Sequence, residues 1–518
     1  MSQKRGECAP AARYSPSCWA RERRIRTVRR EKARMQGVTG VILEIFGGKS
    51  AGSFGVHGDR GSQATLSLPL DRSDGEKDGS VIPDLREQFN RGFLDRLYVD
   101  LLSHLRQASG TEIEFRVAET PVFVPRTLLD EMAEQGRVLA TLLIDDPEYL
   151  AAARRAIPAG YDVANQTPRP HFLTADFALI RRSSGGLAPR LVEIQAFPSV
   201  FAYQALLCDA YREVYGLPDN LGAFLSGLDA EGYWELFART VLGGHDPKHV
   251  VLTEVDPLQQ KTRPDFYCTA KRLGIAVVDI SELVPINDKL HYRDADGRLV
   301  PIERIYNRAI ADELIGRDIR LPFDLTHPWN VEWAGHPNWY FLISKFSLPW
   351  LTDPAVEDAV VPPAVYLSDF LEGPGRARLA ALGVDLPADS RPETIYRNLL
   401  LKPLFSFAGK GIEFEPTHAQ LEAIPKQRRS DFLLQQRMTF VPTIDTPHGI
   451  TQAEFRILYL WPNGGSLTPA LSLVRLGRGK MMGVDHNKDQ SWVGASAAFF
   501  PTHSPAPVPL AATVPRKS

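Results

Sequence analysis

The chain has 518 residues, of which 44% are hydrophobic and 24% charged, a composition typical of a globular protein with roughly two to four domains. Its net charge of -2 at pH 7 gives no reason to expect nucleic acid or an anionic membrane as the main partner. Its four cysteines show no CxxC spacing, which argues against a zinc site and a disulfide framework. Because no apolar run reaches the length of a membrane span, we expect a cytoplasmic protein.

The two ends of the chain differ in composition from the middle. The N-terminal stretch is basic and then rich in Gly, Ser and Asp, whereas the C-terminal stretch is rich in Pro and Ala. Such compositions are typical of disordered segments, so residues 1–82 and 501–518 are predicted to be disordered arms. No apolar signal-peptide core follows the basic residues, and whether translation starts at Met1 or Met35 stays open.

Apolar periodicity indicates the elements between these ends. Helices are predicted at residues 84–107, 127–142, 147–156 and 201–215. Strands are predicted at residues 115–125, 399–404, 432–436, 453–460 and 471–476, with hairpins around residues 183–186 and 294–297. A strand–helix–strand unit at residues 249–283 predicts a parallel α/β layer. The ordered chain is therefore predicted to be α/β (mixed α+β) and to divide into residues 83–245, 246–335 and 336–500.

The stretch LVEIQAFPS carries two oxygen-bearing side chains on one face of a predicted strand. Strand alternation puts Glu193 and Gln195 together, while Val192, Ile194 and Ala196 take the other face. Asp176 lies on the predicted hairpin partner of this strand. Carboxylate and amide oxygens suit a hard cation such as Mg²⁺. The alternative interpretation is the exposed face of an amphipathic strand.

The stretch LLLKPLFSFAGKGI places a lysine near a flexible glycine-containing loop. Lys402 leaves an apolar strand just before Ala-Gly-Lys-Gly, a segment suited to lie against phosphates. Later, Glu454 and Arg456 share a face of the strand AEFRILYLW, a pairing that commonly fixes an anion. The alternatives are a lysine that snorkels at a strand end and a structural ion pair.

In combination and order, these patches resemble the ATP-grasp superfamily, in the circularly permuted arrangement of eukaryotic glutathione synthetase and glutathionylspermidine synthase. The resemblance implies a metal site for Mg²⁺ at Asp176, Glu193 and Gln195. It implies Arg456 and Arg475 as catalytic residues. The strand at residues 432–438 resembles the hinge that holds adenine. The ATP-binding residues implied by the resemblance are Lys345, Lys402, Ser406, Gly409, Lys410, Gly411, Gln435 and Gln436.

Three departures from the family pattern are visible. Gln195 stands in place of an Asn, and Thr174 stands where the permuted synthetases tend to carry an arginine. The loop after Lys402 lacks the acid that is a further metal ligand in those synthetases, which leaves Glu413 or Glu415 as possible substitutes.

The resemblance implies an enzyme that uses ATP and Mg²⁺ to join a small-molecule carboxylate to an amine through an acyl phosphate. In this interpretation residues 246–335 bind substrate and residues 336–500 bind nucleotide. Two alternatives stay open: a phosphotransferase, and a degenerate module that binds nucleotide without turnover. A homodimer also stays open. Candidates for the acceptor-substrate pocket, with capping and inter-domain hydrogen bonds as the alternative, are Lys261, Arg263, Asn307, Arg308, His336 and Asn338.

Overall fold

A computed structural model of the protein describes most of the chain from residue 82 to residue 502. The described residues are 82–182, 185–352, 360–406, 409–480, 482–483, 487 and 489–502. They all fall in one compact unit. The two predicted disordered arms lie outside the described residues, except for residues 82, 501 and 502. The division at residues 83–245, 246–335 and 336–500 stays a prediction.

The described residues combine helices and several sheets in a mixed α/β fold, as predicted. Their strands are β1 (Val122–Phe123), β2 (Phe172–Arg181), β3 (Leu187–Gln195), β4 (Leu221–Gly222), β5 (Val250–Glu254), β6 (Ala276–Asp279), β7 (Val284–Ile286), β8 (Lys289–Arg293), β9 (Leu299–Pro301), β10 (Arg304–Asn307), β11 (Glu332–Ala334), β12 (Ala364–Tyr366), β13 (Leu399–Pro403), β14 (Glu413–Phe414), β15 (Phe432–Gln436), β16 (Gln452–Leu460), β17 (Thr468–Gly477) and β18 (Gly494–Pro501).

The α-helices cover the faces and edges of these sheets. They are α1 (Pro83–Gly92), α2 (Asp95–Ser109), α3 (Arg126–Ile144), α4 (Pro147–Arg154), α5 (Phe201–Tyr215), α6 (Ala230–Leu242), α7 (Arg263–Leu273), α8 (Ala311–Gly316), α9 (Asn338–Leu342), α10 (Leu348–Leu351), α11 (Leu367–Leu371), α12 (Pro374–Ala381) and α13 (His418–Glu422). Short 3₁₀ helices lie at Pro247–His249, Pro257–Gln259, Ile280–Glu282, Lys345–Ser347 and Lys426–Asp431.

The largest sheet joins strands from the two halves of the chain. Its order is β1-β18-β17-β16-β2-β3, and β4 pairs with β18. All neighbours are antiparallel except β1 and β18. The predicted hairpin is confirmed as β2 and β3, in which Asp176 lies opposite Glu193. Apolar side chains such as Phe177, Phe455 and Val474 belong to the core that α3 completes on this sheet. The polar side chains of β2, β3 and β16 therefore lie on the opposite face of the sheet.

A second sheet is parallel, with the order β11-β10-β5-β6. The strand–helix–strand prediction is confirmed by β5, α7 and β6, because β5 and β6 run parallel. The predicted hairpin around residues 294–297 is also confirmed, as β8 and β9 of a three-stranded antiparallel sheet. The carboxyl ends of β5, β6 and β10 carry Glu254, Asp279 and Asn307 at one edge of the parallel sheet.

The third main sheet is antiparallel and has the order β12-β15-β13-β14. Its two faces join different cores. Leu434, Leu401 and Val365 pack under α11 and α12, whereas Leu433 and Ala364 belong to the core shared with the largest sheet. Strand alternation therefore turns Lys402, which lies opposite Leu433, toward the largest sheet.

Two predictions about the N-terminal elements are wrong in detail. The single helix over 84–107 is two helices, because Phe93 and Leu94 are extended with ψ of 138° and 134°. Phe93 packs against Trp492 with ring centroids 4.5 Å apart, a tertiary contact that helical periodicity does not contain. The predicted strand over 115–125 is limited to β1 and one bridge at Val117, because only Val117, Val122 and Phe123 pair in register with residues of β18.

Helix α3 approaches the largest sheet closely at Gly136, so a larger side chain at this position is expected to destabilise the fold. A Cβ at Gly136 would lie 2.1 Å from the Tyr459 hydroxyl and 3.0 Å from the Ala175 Cβ. Tyr459 is fully buried and donates to Ala133 O at 2.9 Å, so it has little room to move. We expect Gly136→Ala to lower the free energy of unfolding by about 1–3 kcal/mol in urea titrations. Gly316→Ala is the control, because a Cβ there meets nothing within 4 Å.

Candidate functional site

Charged side chains gather on one face of the largest sheet because of its register. Asp176 of β2 lies opposite Glu193 of β3 on one side and opposite Arg456 of β16 on the other. Two residues before Arg456, Glu454 lies opposite Arg475 of β17. Residues directly opposite on neighbouring strands share a face, as do residues two apart on one strand. Sheet pairing alone therefore brings three acids and two arginines together.

Asp176 holds both arginines in place. Arg456 donates to it from Nε to Oδ1 at 2.6 Å and from Nη2 to Oδ2 at 2.7 Å, and Arg475 Nη2 donates to Oδ2 at 2.5 Å. Only 1% of Asp176 is exposed. A bidentate carboxylate–arginine pair fixes the orientation of the guanidinium group. Asp176 therefore acts in this structure as the anchor of the two arginines, and its predicted role as a metal ligand stays a prediction.

Glu193 faces a lysine that arrives from a distant part of the chain. Lys345 opens the 3₁₀ helix Lys345–Ser347, and its Nζ lies 3.3 Å from Glu193 Oε2 and donates to Ser406 O at 2.6 Å. Burial alone would raise the pKa of Glu193. The positive charges of Lys345, Arg456, Lys402 and Arg475 outweigh burial and lower that pKa to about 2. Glu193 is therefore a carboxylate at neutral pH.

Glu454 shows the opposite behaviour. Its side chain is 5% exposed, and its Oε1 lies 3.1 Å from Arg475 Nη1. Burial raises the pKa of Glu454 to about 7, and the negative charges of Asp176 and Glu193 add to this effect, which Arg475 only partly offsets. The pKa values of these two carboxyl groups are thus shifted in opposite directions, because the neighbouring cations outweigh burial at Glu193 and do not outweigh it at Glu454.

Lys402 reaches the same cluster from β13. It is 3% exposed, and its Nζ donates to Val192 O at 3.4 Å. Burial lowers the pKa of Lys402 to about 8, although the charge of Glu193 acts in the other direction. Val192 lies at an irregularity in the β2–β3 pairing, where Asp176 faces Glu193 but Phe177 faces Leu191. This bulge turns Val192 to the side of Glu193, which corrects the regular alternation expected for LVEIQAFPS.

A cavity of about 320 Å³ lies between this charged face and the β13–β14 edge of the third sheet. Its wall combines apolar side chains with six lysine and arginine side chains and two glutamates of the described residues. The apolar residues are Val192, Leu400, Ile412, Phe414, Met438, Phe440 and Met482. The charged residues are Glu193, Lys345, Lys402, Arg437, Glu454, Arg475, Arg478 and Lys480.

The structure brings five of the predicted site residues to the wall of this cavity: Glu193, Lys345, Lys402, Gly409 and Arg475. Arg456 and Asp176 lie behind them in the ion-pair network. Gln195 lies opposite Thr174 at the end of β3, and Ser406 takes part through its carbonyl. Lys410 and Gly411 are exposed to solvent beside the cavity. Gln435 and Gln436 lie in β15, where Gln436 N donates to Pro363 O at 2.7 Å.

Several wall residues were missed by the sequence analysis. Leu400 could have been predicted from the sequence, because it lies two residues before Lys402 on β13 and therefore shares a face of the strand with it. Met438 and Phe440 follow the end of β15, where no periodicity applies. Of the two acids suggested as replacements for the missing loop acid, Glu415 forms an ion pair with Arg437, and Glu413 is exposed.

The acidic side chains of the site are the candidate ligands for a metal ion. Within the described part of the chain, no group of three or more His, Cys, Asp or Glu side chains is arranged to hold a metal ion. Glu193, Glu454 and Asp176 each lie within 4 Å of at least one cation. When Mg²⁺ binds together with phosphates, it usually takes only one or two oxygen ligands from the protein. Glu193 and the neighbouring Gln195 can supply these oxygen ligands. Both oxygens of Asp176 accept hydrogen bonds from arginines.

The acceptor-pocket candidates fall into two groups. Asn307 and Arg308 lie at the carboxyl end of β10, where Arg308 forms a buried ion pair with Asp265 and Asn307 Oδ1 has no partner among the described residues. Buried Glu254 ends the neighbouring β5, and burial raises its pKa to about 8 against the charge of Arg308. Arg308 also lies 5.9 Å from the ring of Phe197, so this buried polar cluster lies near the end of β3.

The other four candidates serve structural contacts or lie at the surface. Arg263 Nη2 donates to Glu114 Oε1 at 2.6 Å, and Asn338 Nδ2 donates to Val163 O at 3.0 Å. His336 Nε2 lies 2.9 Å from Ala164 O. Lys261 is exposed. The alternative interpretation, inter-element hydrogen bonding, therefore describes Arg263, His336 and Asn338.

Comparison with known proteins adds a structural likeness. No protein-family model and no curated protein matches the sequence. The structure is similar to that of a glutathione synthetase-like effector from Globodera pallida in its apo form. The similarity covers 82% of this chain and 98% of that chain, with 11% sequence identity and a TM-score of 0.46. We therefore base the function on the geometry of the site.

No helix in the described part of the chain combines the length and the apolar character needed to cross a bilayer.

Proposed function

We propose that the cavity binds ATP with Mg²⁺ and that the protein joins a small-molecule carboxylate to an amine, as an ATP-grasp ligase in the permuted arrangement. The observation that carries this proposal is a cavity whose wall combines apolar side chains with a surplus of positively charged ones. A nucleotide combines an apolar aromatic base with a chain of negative charges.

The charge of the wall suits a polyphosphate. Six basic side chains and two glutamates line the cavity, which gives its wall a formal surplus of four positive charges. Lys345 and Lys402 approach Glu193 from different elements and would neutralise phosphate oxygens from two directions. Arg475 lines the cavity while Asp176 holds its guanidinium group in place, so it is oriented before any ligand arrives. Such preorganised positive charge stabilises a transferred phosphoryl group without rearrangement of the protein.

Magnesium would be held by Glu193 and Gln195, which share a face of β3, with phosphate oxygens as further ligands. When bound, Mg²⁺ neutralises charge on the phosphates and orients them. The low pKa of Glu193 keeps its carboxylate available at neutral pH. The buried polar cluster of Arg308, Asn307 and Glu254 is the proposed region for the acceptor substrate.

A second candidate function is nucleotide binding without turnover. Two observations favour it: the loop after Lys402 lacks the metal-binding acid of the permuted synthetases, and the carboxylates of the site pair with cations. Release of ADP in the presence of candidate carboxylates and amines separates the two functions. A ligase releases ADP together with a condensed product, a phosphotransferase leaves a phosphorylated product, and a binding module releases no ADP.

The nucleotide site itself is tested by thermal unfolding with ATP and MgCl₂. At about 100 times its dissociation constant, a ligand that binds only the folded state adds roughly 2.7 kcal/mol of stability. We expect this gain in the wild type and its loss in Glu193→Ala and Lys402→Ala, because each variant removes a charged group of the cavity wall. Each variant is also melted without nucleotide, so that a folding defect is recognised.

Lys426→Ala is the matched control. It removes a lysine just before β15 that is exposed and does not line the cavity. We expect it to keep the full stabilisation by ATP. The absence of any shift in the wild type at millimolar ATP would reject the nucleotide site.

A further inference from the structure

Both carboxylate oxygens of Glu193, the proposed magnesium ligand, face a cation of the protein. The Nζ of Lys345 lies 3.3 Å from Oε2, and the Nη2 of Arg456 lies 3.6 Å from Oε1. The side chain of Lys345 is only 5% exposed, so little water screens its charge. A metal ion that approaches Glu193 from the cavity therefore meets a positive charge beside either oxygen.

The two cations differ in their freedom to move. The guanidinium group of Arg456 is fixed within the sheet, because it donates two hydrogen bonds to Asp176. Lys345 lies outside the sheet, donates to Ser406 O at 2.6 Å and lines the cavity. Its ammonium group is carried on a flexible four-carbon stem. Lys345 is therefore the cation that can leave Glu193 when another partner is offered.

The surroundings of Glu193 oppose the binding of a further cation. Burial raises the pKa of Glu193, but the charge of Lys345, followed by those of Arg456, Lys402 and Arg475, lowers it to about 2. A proton is itself a cation that binds the carboxylate oxygens. Positive charges that weaken its binding also weaken the binding of a divalent metal ion at the same oxygens.

A polyphosphate reverses this effect. Its oxygens carry several negative charges, and Lys345 lines the cavity proposed to hold it. When Lys345 neutralises a phosphate oxygen, Oε2 of Glu193 becomes available to a metal ion that also binds the phosphates. The polyphosphate then raises the affinity for the metal ion, and the metal ion raises the affinity for the polyphosphate by the same factor.

We propose that Lys345 acts as a counter-ion that closes Glu193 to free divalent cations, so that a metal ion enters only together with a polyphosphate. This inference rests on the proposed function and adds an order of binding to it. Lys345 then has two positions, one against Glu193 and one against a phosphate oxygen. Arg456 keeps its place in both, because Asp176 holds it.

The test is a titration of the nucleotide-free protein with Mn²⁺, which suits the same oxygen ligands as Mg²⁺. Electron paramagnetic resonance measures the Mn²⁺ that remains free. We expect Lys345→Met to bind Mn²⁺ at least about 10-fold more tightly than the wild type, since it removes a unit charge 3.3 Å from the ligand oxygen. Lys345→Arg keeps the positive charge and is expected to bind Mn²⁺ as weakly as the wild type.

Two controls locate the effect. Lys480→Met removes the same charge from another part of the cavity wall, where Nζ lies 5.8 Å from the centre of the Phe414 ring. It is expected to leave the Mn²⁺ affinity unchanged. Glu193→Gln in the Lys345→Met background is expected to abolish the gain, which places the ion at Glu193. A melting curve without metal accompanies each variant, and Lys345→Gln replaces Lys345→Met if the latter does not fold.

The outcomes separate this inference from the proposed function. Equal Mn²⁺ affinity of wild type and Lys345→Met, or an equal gain in Lys480→Met, rejects the counter-ion role of Lys345. The nucleotide site still stands in that case if ATP with MgCl₂ stabilises the wild type. A gain confined to Lys345→Met, without any stabilisation of the wild type by ATP and MgCl₂, keeps the counter-ion role and rejects the nucleotide site.

Discussion

Asp176→Ala is expected to lower the free energy of unfolding by about 3–5 kcal/mol, the usual cost of removing one partner from a buried ion pair. The reason is the position of Asp176 between two guanidinium groups, with three donor contacts of 2.5–2.7 Å and 1% exposure. Without its carboxylate, Arg456 and Arg475 would face each other across the sheet with little access to water. Urea unfolding followed by tryptophan fluorescence measures the change.

Two further variants sharpen this experiment. Asp176→Asn keeps the shape of the side chain and one acceptor oxygen, so its loss is expected to be smaller than that of Asp176→Ala. Asp296→Ala is the matched control, because Asp296 also pairs with an arginine but its side chain is 64% exposed. An exposed pair contributes about 0–1 kcal/mol. Equal losses for Asp176→Ala and Asp296→Ala would contradict the anchoring role of Asp176.

The second large effect concerns pH. Relative to the wild type, Glu454→Gln is expected to gain stability as the pH rises from about 4.5 to about 7. In this range the unfolded chain has lost the proton of Glu454, whose ordinary pKa is 4.5, while the folded chain retains it because burial raises the pKa to about 7. The folded state therefore binds more protons, and the stability of the wild type falls as the pH rises.

The expected size follows from the same pKa values. A difference of about 2.5 pKa units corresponds to a change on the order of 3 kcal/mol across the window. Below pH 4.5 both side chains are neutral and the difference between wild type and variant is constant. Urea unfolding of both proteins at several pH values between 4 and 8 measures the trend. A difference that does not change with pH would show that Glu454 titrates alike in the folded and unfolded chains.

The elements that carry the site were largely predictable. Strand alternation in LVEIQAFPS and the neighbouring hairpin place Glu193 opposite Asp176, since the register of a short hairpin is set locally. The strands with Lys402 and Arg456 are likewise found where apolar alternation indicates them. The prediction of a single helix over 84–107 was wrong because the extended backbone at Phe93 depends on packing against Trp492, nearly 400 residues later in the chain.

The sequence by itself determined most of the strands that carry the charged residues of the site, because those strands follow from local periodicity and short-range pairing. Only the tertiary structure decided which distant groups meet. Lys345 and Lys402 reach Glu193 across long stretches of chain, and the bulge that turns Val192 toward them is a property of the folded sheet. The opposite pKa shifts of Glu193 and Glu454 arise in the same way, since burial and neighbouring charge exist only after the sheets have assembled.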